Sequence, residues 1–252
     1  MNHVSPRIAV VTGAARGIGL AVAQRLSADG LRVALVDRDE AELAKVATML
    51  PAARIACVTA DLADPEAPRT IAQEVARLLG TPTILVNNAG IAPKHDGRAW
   101  SVTETSLEEW QRVMNVNLTS AMLMCQALLP GMQKEGFGRV VNVSSSAGRT
   151  AAVLNGPSYM CSKAGMLALS RHVAQHYGKD GITSNTVALG RVITPLALLW
   201  TLEQEEAYNK RNPVGRSGRA EEVADAVAYF VGELAGFTNG TVLDINGGAF
   251  MA

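Results

Sequence analysis

The sequence predicts an α/β protein: a doubly wound, parallel β-sheet of about seven strands with helices on both faces. Three observations predict it. Short apolar runs of strand length alternate with longer stretches of helical apolar spacing, joined by short connections. The strand runs are almost continuously apolar, as in a sheet buried on both faces. Glycines and carboxylates gather where those runs end, the edge at which open α/β sheets bind ligands.

The elements follow in order. "RIAVVTG" (7–13) reads as a buried strand ending in a turn, and "IGLAVAQRLSADG" (18–30) as a helix stopped by Gly30. "LRVALVD" (31–37) is a second strand, "DEAELAKVATML" (39–50) a second helix, and "ARIACVTADL" (53–62) a third strand with its exit. A helix is expected across 64–80, with Asp64 as N-cap and Pro65 at its first position. "TILVNNAG" (83–90) is the fourth strand. Residues 91–106 are looser, and a long helical pattern runs from Leu107 to Met132. "GRVVNVSSSAG" (138–148) is strand five with its loop, 156–181 a helix with its flanks, and "ITSNTVALG" (182–190) strand six. After a mixed region (191–213) come a helix at 219–234 and a last strand, "TVLDING" (241–247). No repeat, low-complexity tract or linker divides the 252 residues, so one domain is expected to span 1–252.

Composition narrows the function classes. Hydrophobic residues make up 48% and charged residues 18%, which indicates a large core and no disorder. Lys plus Arg equals Asp plus Glu at 23 each, without the basic bias of a nucleic-acid binder. Cys57, Cys125 and Cys161 are few, odd in number and widely spaced, so free thiols are expected. No apolar run approaches the ~20 residues of a membrane span. Pro6 and Arg7 interrupt the N-terminus, which lacks a long apolar run. A cytoplasmic protein, free of membranes, is expected. The four histidines show no metal-binding spacing.

The motifs carry the chemistry. "TGAARGIG" (12–19) joins the first strand to the first helix. Glycines let backbone turn tightly and approach a ligand, and the first helical turn offers N–H groups to an anion. The spacing is Gly13–xxx–Gly17–x–Gly19, and it suits a pyrophosphate, with Arg16 and Ile18 beside it. Asp37 ends the second strand 18 residues after Gly19, near the expected place of an acid that holds a ribose. Its charge would repel a 2′-phosphate, so NAD is favoured over NADP, although Arg16 and Arg38 could each pair with such a phosphate. Asp61 and Leu62 leave strand three beside the adenine position. Asn88, Ala89 and Gly90 follow strand four, where small residues let backbone pass a cofactor. Tyr159 and Lys163 stand one helical turn apart in "YMCSK". A free phenol is a poor base near neutrality, and a neighbouring ammonium favours its ionised form.

Taken together, "TGAARGIG", "NNAG", "VNL" (116–118), "NVSSSAG" (142–148) and "YMCSK" resemble the short, single-domain branch of the short-chain dehydrogenase/reductase family, from Arg7 to about Phe250. The resemblance implies a Rossmann-type seven-stranded sheet, a nicotinamide cofactor and a Ser–Tyr–Lys–Asn catalytic group. It assigns Tyr159 as proton donor or acceptor and Lys163 to tune it and hold the nicotinamide ribose. The family pattern N-x-S-S-x-x-G selects Ser145 to polarise the substrate oxygen, whereas plain distance back from Tyr159 reaches Ser146. Asn117 corresponds to the family asparagine that bends its helix and holds a water linking Lys163 to solvent; Asn115 competes. "RVITP" (191–195) resembles the segment whose backbone N–H and threonine hold the carboxamide, here Ile193 and Thr194, but Leu189 stands where the family has proline.

Residues 149–156 and 91–98 would line the substrate pocket, with Asn155 a candidate contact. The stretch 191–213, with Leu198, Leu199, Trp200 and Tyr208, reads as a lid or as an apolar subunit contact. The expected function is NAD-dependent oxidoreduction of a small or medium secondary alcohol or ketone by a homotetramer. Rivals are an NADPH-dependent 3-oxoacyl-carrier-protein reductase, a sugar or polyol dehydrogenase, and a non-catalytic dinucleotide-binding module.

Overall fold

The strand runs form a single sheet because each is apolar on both sides and must be covered twice. The computed structural model describes residues 7–152, 154–194 and 201–251. The strands are β1 (Ile8–Thr12), β2 (Arg32–Asp37), β3 (Ile55–Thr59), β4 (Ile84–Asn87), β5 (Gly138–Ser145), β6 (Ile182–Leu189) and β7 (Val242–Ile245). They lie in the order β3-β2-β1-β4-β5-β6-β7, every pair parallel. The order reverses between β1 and β4, which makes the crevice above that pair the switch point of a Rossmann-type sheet.

The helices are α1 (Gly17–Ala28), α2 (Glu40–Ala47), α3 (Ala67–Leu78), α4 (Leu107–Met114), α5 (Ser120–Glu135), α6 (Pro157–Tyr177), α7 (Leu202–Arg211) and α8 (Ala220–Val231). Two apolar layers result. One face of the sheet packs Val11, Leu35, Val86, Val141 and Val187 against Val22 and Leu26 of α1 and Val227 and Phe230 of α8. The other packs Val10, Val36, Leu85 and Val140 against Ile71 and Val75 of α3, Met124 and Leu128 of α5, and Val173 of α6.

Four expectations need correction. α3 starts at Ala67, with Pro68 in its first turn, and not at Pro65. Asp64 instead closes a turn of its own: its carboxylate accepts from Glu66 N–H (2.9 Å) and its carbonyl from Ala67 N–H (3.2 Å). The pattern at 107–132 is two helices fused through a π-helical turn at Asn115–Thr119. That composite, Leu107–Glu135, is long and apolar enough to span a membrane by length and composition, contrary to the sequence reading; half of its most apolar window is buried in the protein. The third helix end differs too: α8 stops at Val231 because Gly232 is extended. The three cysteines are free, as expected.

Candidate active site

Six connections leave the carboxyl edge of the sheet, and each carries part of the site. The first is the glycine turn. Gly13 and Gly17 adopt left-handed φ values of 66° and 56°. A Cβ on Gly19 would stand 2.0 Å from the Gly13 carbonyl oxygen, so only glycine closes this turn. Helix α1 then begins at Gly17 without a side-chain cap. Leu20 N–H to Arg16 O is its first internal bond, so the N–H groups of Gly17, Ile18 and Gly19 have no helical partner. This bare, bowed helix start fits a pyrophosphate, and so fits the dinucleotide that the motif implies.

The turn is held from β4. The Asn88 amide donates to the carbonyls of Thr12 (2.8 Å) and Gly13 (3.1 Å). The N–H groups of Asn88 and Ala89 both donate to the Thr12 hydroxyl, at 3.0 and 3.1 Å. Asn88 and Ala89 therefore brace the turn with the groups a direct cofactor contact would use. Thr12, buried and central to this brace, escaped the sequence reading; its signal was the threonine that opens "TGAARGIG".

The β2 exit presents Asp37, half-exposed. One carboxylate oxygen accepts from Ala15 N–H (3.1 Å) and the other from Asp39 N–H (3.2 Å), which fixes the group at the rim of the crevice. Arg16 pairs with Asp39, itself the N-cap of α2. That engages one of the two arginines which could have received a 2′-phosphate; Arg38 stays exposed. Beyond Asp37 an open cleft of about 670 Å³ is lined by Arg38, Asp39, Glu40, Thr59, Ala60 and Asp61. Asp61 is exposed there, one oxygen accepting from Ala63 N–H (2.9 Å), and Leu62 is buried beneath.

The catalytic part is assembled where α6 meets the exit of β5. Helix α6 can lie close to the β5 loop because Gly148 has no side chain: a Cβ there would stand 2.7 Å from the Lys163 carbonyl carbon. Gly165 does the same toward Leu118, at 2.5 Å, which explains the small residues after Lys163. Lys163 is 4% exposed, and its amine donates to the Val143 carbonyl (2.8 Å) and lies 5.7 Å from the centre of the Tyr159 ring. Burial holds its pKa down to about 8.

The same burial pushes the Tyr159 phenol above its ordinary pKa, and a hydrogen bond with Ser145 opposes this. The expected direct lowering by Lys163 is thus not what the site shows: solvent loss raises the phenol and the Ser145 bond alone opposes it. Ser145, not Ser146, is the serine that reaches the phenol. Its hydroxyl accepts from Ala147 N–H (3.1 Å) and faces the Leu189 carbonyl (3.4 Å). Ser144 is buried and donates to the Lys163 carbonyl (2.8 Å).

Asn117 sits in the π-helical turn, which swings its side chain inward. It accepts from Ile91 N–H (2.8 Å) and donates to the Ile91 carbonyl (3.0 Å) and the Ser162 hydroxyl (3.1 Å). Asn115 is exposed. Gly90 lies beside both groups: a Cβ on it would be 3.3 Å from Asn117 Oδ1 and 3.4 Å from the Lys163 amine.

After β6 the chain differs from expectation. Ile193 N–H donates to the Gly218 carbonyl (2.9 Å), so it is not available to a carboxamide. Val192 forms a parallel bridge with Gly218, which turns the N–H and C=O of Val192 itself to the opposite side. Thr194 follows it. Asn155 is half-buried in the turn before α6, its N–H on the Ala152 carbonyl (3.1 Å). Leu198, Leu199 and Trp200 lie outside the described residues, as do Val153 and the final alanine. Tyr208, read as apolar lid or contact, uses its hydroxyl instead: it accepts from Arg191 N–H (3.1 Å) and the Asn212 amide (3.0 Å).

Comparison with known proteins agrees with this architecture. A family model described as enoyl-(acyl carrier protein) reductase matches residues 13–249. The chain is 34% identical to a 3-oxoacyl-[acyl-carrier-protein] reductase of Haemophilus influenzae, over 98% of this chain and 99% of the relative. It is also 34% identical to a meso-2,3-butanediol dehydrogenase of Serratia marcescens, over 96% and 94%. The crystal structure of a 3-oxoacyl-[acyl-carrier protein] reductase from Brucella melitensis with bound NAD superimposes with a TM-score of 0.91 at 33% identity, covering 99% of this chain and 93% of that one. The chain belongs to the short-chain dehydrogenase/reductase family, whose members use a nicotinamide cofactor to oxidise or reduce at CH–OH groups.

Proposed function

We propose that this protein is an NAD(H)-dependent alcohol dehydrogenase or ketoreductase acting on a small or medium secondary alcohol or ketone. The observation that carries the proposal is the buried Lys163 amine 5.7 Å from the centre of the Tyr159 ring, with Ser145 placed to lower the phenol's pKa, at the sheet edge that also holds the glycine turn.

A bound nicotinamide dinucleotide supplies the hydride acceptor or donor and, when oxidised, a positive charge. The chain supplies the rest. The Gly13–Gly19 turn receives the pyrophosphate on the N–H groups of Gly17, Ile18 and Gly19. Asp37 accepts from the adenosine ribose hydroxyls, and Asp61 and Leu62 border the adenine. The N–H and C=O of Val192, with Thr194, receive the carboxamide in place of Ile193. Lys163 holds the nicotinamide ribose. Ser145 donates to the substrate oxygen and Tyr159 gives or takes its proton. With its pKa raised, the phenol keeps its proton in the free protein, which suits donation during reduction. Asn117 holds the Gly90–Ile91 backbone against Ser162 and so shapes the Lys163 environment.

Asp37 and the Arg16–Asp39 pair support NAD over NADP. A second reading, a 3-oxoacyl-carrier-protein reductase using NADPH, draws support from the similarity to the Haemophilus influenzae enzyme. Rates with NADH and NADPH on a panel of ketones and an acyl thioester separate the two: the proposal expects faster turnover with NADH on a free ketone. Equal or faster turnover with NADPH on the thioester would favour the second. A cytoplasmic homotetramer of one-domain subunits is part of the proposal. Leu234 and Phe237 stand fully exposed just after α8, where a further subunit would cover them.

A further inference from the structure

The last bond tying the end of β6 to the sheet is Gly190 N–H to the Ile245 carbonyl (2.9 Å). The next N–H, that of Arg191, has left the sheet and is received by the Tyr208 hydroxyl on α7. From Arg191 onward the segment is gripped on its other edge by Gly218: Gly218 N–H donates to Arg191 O (2.9 Å), and Ile193 N–H to Gly218 O. Between these grips sits Val192, with its own N–H and C=O turned away from Gly218.

None of the residues of helix α7 is fully buried, and polar bonds tie it to the body. Tyr208 is bonded to Arg191 and Asn212. The Asn212 amide also donates to Asn246 O (2.9 Å), and its oxygen accepts from Val214 N–H (2.9 Å). Glu205 adds an ion pair to the Arg191 side chain at 3.8 Å. Tyr208 thus stands at the junction of α7, the β6 exit and the turn after β7. A phenylalanine in its place would keep the ring and remove the bond to Arg191 N–H and the one from Asn212.

We infer that Tyr208 is a positioning residue: through its hydroxyl, α7 sets the Arg191–Ile193 backbone and thereby the half-site for the nicotinamide end of the dinucleotide. This rests on the cofactor reading above. The adenosine end is held by the glycine turn and Asp37, to neither of which Tyr208 is bonded among the described residues, so the two ends respond separately.

The test compares binding of NADH, by fluorescence titration, with binding of ADP-ribose, by calorimetry, in the full chain and in Tyr208→Phe. ADP-ribose carries the pyrophosphate and adenosine but no nicotinamide. The expected result is NADH bound about tenfold more weakly, as for loss of one buried hydrogen bond, with ADP-ribose affinity changed less than about twofold. Asn212→Ala keeps Tyr208 and removes one of the bonds that orient its hydroxyl, and should weaken NADH in the same direction by about threefold. Equal weakening of both ligands, or no weakening of NADH in either variant, would overturn the inference. Failure of the parent chain to bind ADP-ribose would overturn the cofactor reading and the inference with it.

Discussion

The Lys163 amine donates to the Val143 carbonyl at 2.8 Å, buried between α6 and β5 with no carboxylate of the described residues beside it. A cation in such a place is costly, and that cost has measurable consequences.

Burial lowers the Lys163 pKa from 10.5 to about 8. At 1.36 kcal/mol per unit this is a cost of about 3 kcal/mol, offset by about 1 kcal/mol for the Val143 bond. Lys163→Met should therefore abolish turnover yet raise stability at pH 7 by about 2 kcal/mol, read by urea unfolding. The sign with pH follows. Below about pH 8 both folded and unfolded chains hold the proton and the cost is complete. From about 8 to 10.5 only the unfolded chain holds it, so parent stability rises relative to the variant as pH rises. A stability difference that stays flat across that window would show that folding leaves the amine's pKa at its ordinary value.

Gly148 lets the β5 loop rest on the α6 backbone. In Gly148→Val the new side chain would meet the Lys163 and Ala164 backbone, whose nearest atoms lie 2.7–2.8 Å from a Cβ. Backbone cannot yield cheaply, so a loss of about 1–3 kcal/mol in stability is expected, with a fall in turnover as Ser145 leaves the phenol. Thermal unfolding and steady-state rates measure both; unchanged turnover would mean that Ser145 does not depend on this contact.

Asp37 accepts from Ala15 N–H at the mouth of the crevice. Asp37→Ser should lower kcat/KM for NADH while raising it for NADPH, narrowing the ratio by about tenfold or more, the scale of one charge-assisted bond. The ratio staying constant would remove Asp37 as the selector of the dinucleotide.

Asn117 joins three partners in the π-helical turn. Asn117→Ala leaves the Ile91 N–H and carbonyl unpaired, and unfolding should show a loss of about 2–4 kcal/mol. A loss below 1 kcal/mol would mean that the Ile91 backbone finds other partners.

The sheet was legible because its strands are buried on both faces and its turns are written in glycine. The spacing of Gly13, Gly17 and Gly19 dictates a bend no other residue closes, and the Tyr159–Lys163 spacing places both on one helix. What escaped the sequence depends on partners far along the chain. Whether Ile193 or Val192 offers a free N–H is decided by Gly218, and the use of Tyr208 by Arg191. The direction of the Tyr159 shift is a balance of solvent loss against the Ser145 bond, which spacing alone does not give. Asp64 carried a genuine turn signal, but local bonds to Glu66 and Ala67 used it before the helix could.

The proton role of Tyr159 is the centre of the proposed chemistry, and Tyr159→Phe tests it most directly. Turnover of a ketone with NADH and NADH affinity by fluorescence titration are measured on the same preparation. The expected result is a loss of about 10²–10⁴-fold in kcat with NADH still bound within about twofold of the parent. Turnover within a few-fold of the parent, at unchanged affinity, would contradict it.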